Sequence, residues 1–512
     1  MTLWIKEKLF LRSVLEKELS HFDSDFDKTK LLFGHHHRSH AASAFFPSPF
    51  EEALVVVLDG VGEWSTATIS IGTKNNLSMK KELKFPHSLG LLYSSFTFYC
   101  GFKVNSGEYK LMGLAPYGEP IYADLIKEKL VDIKEDGSFW LDQSYFTYCY
   151  GLTMVGKQFE KLFGQPIRKP EDENMSQFYM DIAASIQKVT EEIVEKIVSS
   201  AAKEYGQKNL CLAGGVALNC VSNGKIIEKK IFENVWVQPA SGDAGCALGV
   251  ALDVWHSHLN QHRECSKQDK MRGSYLGPEF SDKEIKNSLI ECGAVFDEMS
   301  FNEIAAQTAE LLSNGNAVGW FQDKMEFGPR SLGNRSILGD PRDPKTQSNL
   351  NLKIKFRESF RPFAPSILYE HVKEWFKLDS NSPYMLLVAP VDEKKRTQNN
   401  SSTNLKDINY ARSSVPAVTH VDFSARVQTV HKETNPKFHK LISEFYSLTS
   451  CPMVVNTSFN VRGEPIVLSP EDAFRCFMGT NLDVLVIGNF ILKKSDQDQN
   501  LLVNYLNEFE LD

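Results

Sequence analysis

Apolar residues recur along this chain with two spacings, and each predicts a different element. Near the start, Leu3, Leu9, Leu15 and Leu19 in MTLWIKEKLFLRSVLEKEL mark one face of an amphipathic helix. Lys6, Glu7 and Lys8 break any apolar core there, so the segment does not read as a signal peptide. The stretch from Ala53 to Gly72 opens as a continuous apolar strand and turns at Asp59-Gly60. It leaves through an alternating strand, Thr66 to Ile71, which predicts a hairpin. Between Ser176 and Glu204, Phe178, Ile182, Ile186, Val189, Ile193 and Ile197 recur at three- and four-residue steps, one face of a helix. A short strand, Asn209 to Leu212, then runs into a Gly214-Gly215 turn, and a second glycine-rich stretch, PASGDAGCALG, spans Pro239 to Gly249. Strands alternating with helices imply an α/β architecture.

The mixed-charge stretch from Asn260 to Gly273 is expected on the surface. The pattern restarts near Phe301 with a helix over Glu303 to Ser313, a strand in NAVGWFQ and a dense motif, EFGPRSLGNRSIL. Two late apolar strands, PMVVN and DVLVIGNFIL, follow, and the polar run Asp392 to Asp407 reads as a mobile loop. A single core stops growing at roughly 250–300 residues, so 512 residues predict two domains. The boundary is placed near residue 298, giving domains 1–297 and 298–495 and a C-terminal tail, 496–512.

Composition narrows the classes. The net charge is -8, without a long block of one sign, which argues against a nucleic-acid partner but leaves room for a nucleotide. The nine cysteines form no C-x-x-C pair. Cys100, Cys211, Cys220 and Cys246 sit in apolar or glycine-rich surroundings and read as small buried residues, so a reducing cytoplasm fits. No apolar stretch is long enough to span a membrane.

His36 and His40 are four apart. On a helix that spacing puts both imidazoles on one face, which suits two ligands to one transition metal such as iron or zinc; a polar surface tract is the plainer alternative. Asp59 ends a buried strand, where α/β folds expose ligand-binding side chains, although Asp-Gly is also an ordinary turn. LAGGVALNCVSNG, with Gly214, Gly215 and Asn219, is a strand ending in glycines that opens a helix and offers backbone N–H groups to an anion. SGDAG offers a second such turn, with Asp243 as a possible fourth metal ligand.

Cations dominate the second half. Arg330 and Arg335 lie among glycines, and LKIKFRESFRPFAPS adds Lys353, Lys355, Arg357 and Arg361. The alternation of Lys353 and Lys355 points both to one side of an extended segment. Arg426 follows in VDFSARVQTV, and Asn456, Ser458, Asn460 and Arg462 in VVNTSFNVRGEP. A solvated basic face is the bland account. Cations interleaved with phenylalanines and prolines more often bind something anionic, and together these segments look like one polyanion pocket.

Taken in order, HHRSHAASAFF, LDGVGEW, NSGEYKLMGLAPYGEP, LAGGVALNC, GDAGCALG, EFGPRSLGNRSI, FRPFAPS, THVDFSARVQTV and NTSFNVRGEP resemble the O-carbamoyltransferases. These include the nodulation-factor and antibiotic-tailoring types, the tobramycin enzyme among them, and the likeness runs from about residue 30 to about residue 492. The resemblance implies an α/β protein with an actin-like (ASKHA) ATPase-type first domain and a second domain that makes a carbamoyl adenylate from carbamoyl phosphate and ATP. The acceptor, a hydroxyl-bearing small molecule of secondary-metabolite type, then takes the carbamoyl group in the first domain and AMP leaves. By motif, His36, His40, Asp59 and Asp243 would hold a metal, usually ferrous iron. Gly214, Gly215 and Asn219 would lie against the adenosine. Arg330, Lys355, Arg426 and Ser458 would bind carbamoyl phosphate and ATP, with Asn456 and Arg462 as further nucleotide-side residues and Glu108 and Lys110 on the acceptor side or positioning a loop.

One departure stands out. Family members begin with a strand and turn of the G-I-S-x-x-H-D-[SA]-A kind, which supplies a phosphate loop and an assisting His, and no such segment occurs here. The expectation is therefore an N-terminally incomplete actin-like domain that transfers poorly while the second domain still forms the adenylate. A non-transferring remnant that binds nucleotide and an actin-like kinase are the competing readings. A homodimer would fit any of the three.

Overall fold

Strand β1 (Glu52–Leu58) carries the most apolar run of the first half, EALVVVL, and all but its first residue are buried. Such a strand needs cover on both faces and a neighbour on each edge. In the computed structural model, which describes residues 9–170, 172, 175–355, 358, 360–397 and 411–502, it has them. Its neighbours are β2 (Ser65–Thr73), antiparallel from Glu52↔Thr73 to Leu58↔Ala67, and β6 (Asn209–Ala213), parallel from Leu54↔Leu210. With β3 (Asn76–Lys84) and β7 (Asn234–Val237) they form a five-stranded sheet in the order β3-β2-β1-β6-β7. A small ribbon pairs β4 (Val131–Ile133) with β5 (Phe139–Leu141). The predicted hairpin is present, and β3, whose Lys-rich sequence alternates poorly, extends it by a strand the hydrophobic pattern did not announce.

The long helix Gln177–Tyr205 buries Ile182, Ile186, Val189, Ile193 and Ile197 in the core that also holds β1. A second core begins at Ile285 and Leu289 and runs to Leu492. Its nine-stranded sheet is built from β8 (Asp297–Glu298), β9 (Val318–Phe321), β10 (Arg335–Gly339), β11 (Ala364–Leu368), β12 (Leu387–Pro390), β13 (Ser424–Val430), β14 (Met453–Ser458), β15 (Val484–Ile487) and β16 (Phe490–Lys493). The order is β12-β13-β11-β14-β10-β9-β15-β16-β8. No described helix is long and apolar enough to cross a membrane.

Several expectations need correcting. The first described helix is Leu11–Phe22, with Leu15 and Leu19 only half-buried and no residue fully buried; Leu3 lies outside the described residues. DVLVIGNFIL is two strands, β15 and β16, joined by a tight antiparallel turn after Ile487. Lys353 and Lys355 do not alternate along an extended segment. The backbone there is helical, over Lys345–Asn349 and Leu350–Ile354, so the two-residue period of an extended segment does not apply. Arg357 and residues 398–410, most of the stretch expected as a loop, lie outside the described residues. The stretch Asn260 to Gly273 is not simply surface, because Arg263 and Met271 are buried in it. The guanidinium of Arg263 donates to the carbonyls of Phe45, Phe46, Ser48 and Phe50 and lies 4.2 Å from the Phe45 ring centroid. A charged group can be buried when every donor finds an acceptor. Cys246, read as buried, is half-exposed, and all nine cysteines are free.

Candidate functional site

The helix His36–Phe45 brings His36 and His40 to one face, ring centroids 4.7 Å apart. The β1–β2 turn adds Asp59, and the start of the helix Ala244–Asp253 adds Asp243. The two helices approach closely because residue 249 is glycine; a Cβ there would collide with the Ser39 carbonyl. One ligand atom from each of His36, His40, Asp59 and Asp243 lies within 4.8 Å of the others. His36 Nε2 is 3.0 Å from Asp59 Oδ2 and 3.6 Å from Asp243 Oδ1, while His40 Nε2 is 3.4 and 3.7 Å from the same atoms.

Burial on its own would raise the Asp59 carboxyl. Its hydrogen bond to His36 and the neighbouring His40 outweigh that and hold it well below the usual carboxylate range. The same hydrogen bond raises His36. His40 is fully buried, yet neither of its ring nitrogens has a hydrogen-bond partner. An imidazole in that state costs stability unless something accepts its lone pair. Two imidazoles and two carboxylates converging on one point, one imidazole otherwise unsatisfied, are a donor set that fits a divalent transition metal.

Gly214 adopts φ +87 where its backbone presses on Leu58, a spot no side chain could share. The Gly215 N–H donates to Asp59 Oδ1, so the glycine turn orients the carboxylate instead of leaving that N–H open to an anion. Asn219 caps the helix Cys220–Glu228 through Ser222 N–H and exchanges hydrogen bonds with Gln187. The next residue, Cys220, reaches a large cavity, about 1370 Å³, which the four clustered histidine and aspartate residues do not line.

That cavity gathers the second half's cations. Arg330, Lys355, Arg426, Ser458, Asn456 and Arg462 all line it, with Lys103, Tyr109 and Lys225 from the first half. Arg330 and Arg426 are neighbours, and no carboxylate among the described residues pairs with either. Burial first, and then the Arg426 guanidinium, pull Arg330 down to about 9; burial likewise lowers Arg426. Lys355 Nζ donates to the Ser458 carbonyl at 2.8 Å, to its hydroxyl at 3.2 Å and to the Asn460 carbonyl at 2.7 Å, so it also orders the strand end that carries Ser458. Buried Lys110 lies 3.5 Å from Glu358, which also faces Arg361 and Arg462; Glu108 accepts from Ser94 and from Asn105 N–H.

The loop bearing Arg330 is held by Asn456 and by two residues the sequence reading passed over, Glu326 and Gln428. Glu326 Oε1 accepts from the backbone N–H groups of Leu332 at 2.7 Å, Asn334 at 2.8 Å and Arg335 at 3.3 Å. Asn456 Nδ2 donates to the Ser331 carbonyl, and Gln428 Nε2 to that of Leu332. Arg335 does not join the cavity: it is fully buried, 3.5 Å from the Phe321 ring centroid, and donates to the carbonyls of Gln322 and Asn334. The signal that could have pointed to Glu326 is a lone carboxylate in front of a glycine-rich turn, where backbone N–H groups need acceptors.

Comparison with known proteins bears on what this arrangement serves. Residues 1–252 match the family model described as Carbamoyltransferase N-terminus, and residues 309–494 match Carbamoyltransferase C-terminus. An uncharacterised protein of Synechocystis is 55% identical, over 100% of this chain and 85% of its own. Nodulation protein NolNO of Sinorhizobium fredii is 37% identical, over 96% of this chain and 68% of its own. The 3'-hydroxymethylcephem-O-carbamoyltransferase of Amycolatopsis lactamdurans is 29% identical, over 74% of this chain and 64% of its own.

Proposed function

Given that the chain belongs to the carbamoyltransferase family and so transfers carbamoyl groups, we propose that it works in two steps, an ATP-dependent one in residues 298–495 and a transfer in residues 1–297. In the first step carbamoyl phosphate gives up its phosphate to water. The carbamate oxygen then displaces pyrophosphate from the α-phosphate of ATP, leaving carbamoyl adenylate. In the second step an acceptor hydroxyl attacks the carbamoyl carbon, its proton passes to solvent, and AMP departs with the bonding pair.

The observation that carries this reading is the pair Arg330 and Arg426, half-buried neighbours on the wall of the large cavity, neither ion-paired with a carboxylate among the described residues. Two adjacent guanidiniums are costly to bury unless an anion offsets them, and their planar forks match phosphate oxygens. Arg330 and Arg426 would clamp the phosphates, and Arg462 would extend the positive field. Lys355 would fix Ser458 so that its hydroxyl faces the carbamoyl group. Asn456, with its amide nitrogen on the Ser331 carbonyl, would hold the Arg330 loop against the nucleotide. A kinase of the actin-like class would need no such pair.

For transfer, His36, His40, Asp59 and Asp243 would hold a divalent metal, ferrous iron in this reading. When bound it would supply Lewis-acid polarisation of a carbonyl or phosphoryl oxygen. Asp59 stays ionised, kept in place by the Gly215 N–H, and Gly214 and Asn219 would frame the adenosine side of the glycine turn. The actin-like assignment of the first half is supported by its sheet order, in which β2 runs antiparallel beside a central β1 and β6 and β7 continue parallel on the other edge. The acceptor is read as a hydroxyl-bearing small molecule, in line with the hydroxymethyl group in the name of the Amycolatopsis relative.

The test is Arg330→Ala. Carbamoyl-phosphate-dependent release of pyrophosphate from ATP should fall by about 10²–10³, the usual cost of one charge-stabilising donor. Unchanged release would leave the two-step reading without its main support.

A further inference from the structure

His36 and His40 belong to two overlapping ligand sets. The first is the pair with Asp59 and Asp243. The second is the pair with Cys246, whose Sγ also lies within 4.8 Å of the histidine nitrogens. Cys246 sits one turn into the helix Ala244–Asp253, three residues after Asp243, so both side chains leave the helix on the same face. Its thiol is half-buried and lies 3.9 Å from the His36 carbonyl, to which it donates. Asp243, by contrast, has a side chain 81% exposed.

A cysteine beside two histidines proves little alone. The independent observation is His40: fully buried, with Nε2 aimed into the cluster and no hydrogen bond at either ring nitrogen. Resting on the reading of this cluster as a metal centre, we infer that Cys246 is an additional ligand that replaces the exposed Asp243 when the cation is thiophilic. Carboxylates suit hard cations, and a thiolate suits zinc, cadmium or cobalt. The site therefore holds manganese- or iron(II)-like ions through nitrogen and oxygen, and softer ions through nitrogen and sulfur. Recruiting the sulfur forms one metal–sulfur bond, breaks the metal–oxygen bond to Asp243 and one S–H bond, and releases that proton to the buffer.

The experiment uses the full chain, stripped with a chelator and titrated with cobalt(II). The wild type should bind one cobalt per chain, with visible ligand-field bands and a near-ultraviolet thiolate-to-cobalt band. Cys246→Ser should lose the near-ultraviolet band while still binding cobalt. Its cadmium affinity should fall by about tenfold or more, with manganese affinity unchanged. A second readout needs no variant: one equivalent of cadmium should slow alkylation of Cys246, followed by mass spectrometry of its peptide. Ligand-field bands without a thiolate band, a thiolate band that survives Cys246→Ser, or unslowed alkylation with cadmium bound would overturn the role of Cys246 and leave the metal centre standing. No cobalt binding, in the wild type as in His40→Ala, would overturn both.

Discussion

Replacing Glu326 with alanine removes one carboxylate oxygen that three backbone N–H groups of the Arg330 loop share, at 2.7, 2.8 and 3.3 Å. Each buried donor left without an acceptor costs about 1–3 kcal/mol, and bonds to a charged acceptor sit at the upper end. The 3.3 Å contact contributes least, and the glycine-containing loop can relax, so the whole loss should be about 3–5 kcal/mol. Set against a total stability of about 5–15 kcal/mol, that loosens the loop severely. Glu326→Gln keeps an oxygen in place but no charge, and should cost about 1–2 kcal/mol. Native-state hydrogen exchange reads this locally, because the amides of Leu332 and Asn334 are the ones released. Their protection should drop by the amounts given, and pyrophosphate release should fall with it as Arg330 loses its fixed position. If both amides stay as protected in Glu326→Ala as in the wild type, the carboxylate does not hold this loop.

Other variants probe the remaining parts. His40→Ala should abolish stoichiometric binding of a divalent transition metal, measured by metal analysis after dialysis; one retained equivalent would mean that the histidines are not the ligands. Arg263→Ala should remove a donor shared by four carbonyls, of which those of Phe46 and Ser48 lose a buried partner, and lower stability by about 2–4 kcal/mol in chemical denaturation. Because those carbonyls close the end of the histidine helix, metal affinity should weaken by about 10–100-fold as well. Wild-type affinity in a folded Arg263→Ala protein would separate the two. Lys355→Met should strip the Ser458 and Asn460 carbonyls of their ammonium donor and raise the KM for carbamoyl phosphate, a shift that steady-state kinetics would detect; an unaltered KM would remove Lys355 from substrate positioning.

What could be read from the residues was what depends on short-range geometry. The i, i+4 spacing of His36 and His40 and the strand-end place of Asp59 follow from periodicity alone. The cavity shared by Arg330, Arg426 and Ser458 follows from where the cations sit among apolar residues. What escaped depends on contacts across long stretches of chain. Nothing near Arg263 announces that its acceptors are the carbonyls of residues 45–50. Cys246 looks buried beside glycines and alanines, and only helix packing through Gly249 leaves it at the edge of the histidine cluster. Lys353 and Lys355 were misread because a two-residue alternation means one face only on an extended backbone, and this backbone is helical. β3 was missed because edge strands need only one buried face, and here just Leu77 is buried.

The central claim, an adenylate formed from carbamoyl phosphate and ATP, is tested most directly by isotope exchange. Labelled pyrophosphate is incubated with the chain, ATP and a divalent metal, with and without carbamoyl phosphate, and the nucleotides are separated. A reversible adenylation predicts label entering ATP only when carbamoyl phosphate is present, AMP as the nucleotide product, and loss of both in Arg330→Ala. Formation of ADP, or no exchange while carbamoylated product still accumulates, would contradict it.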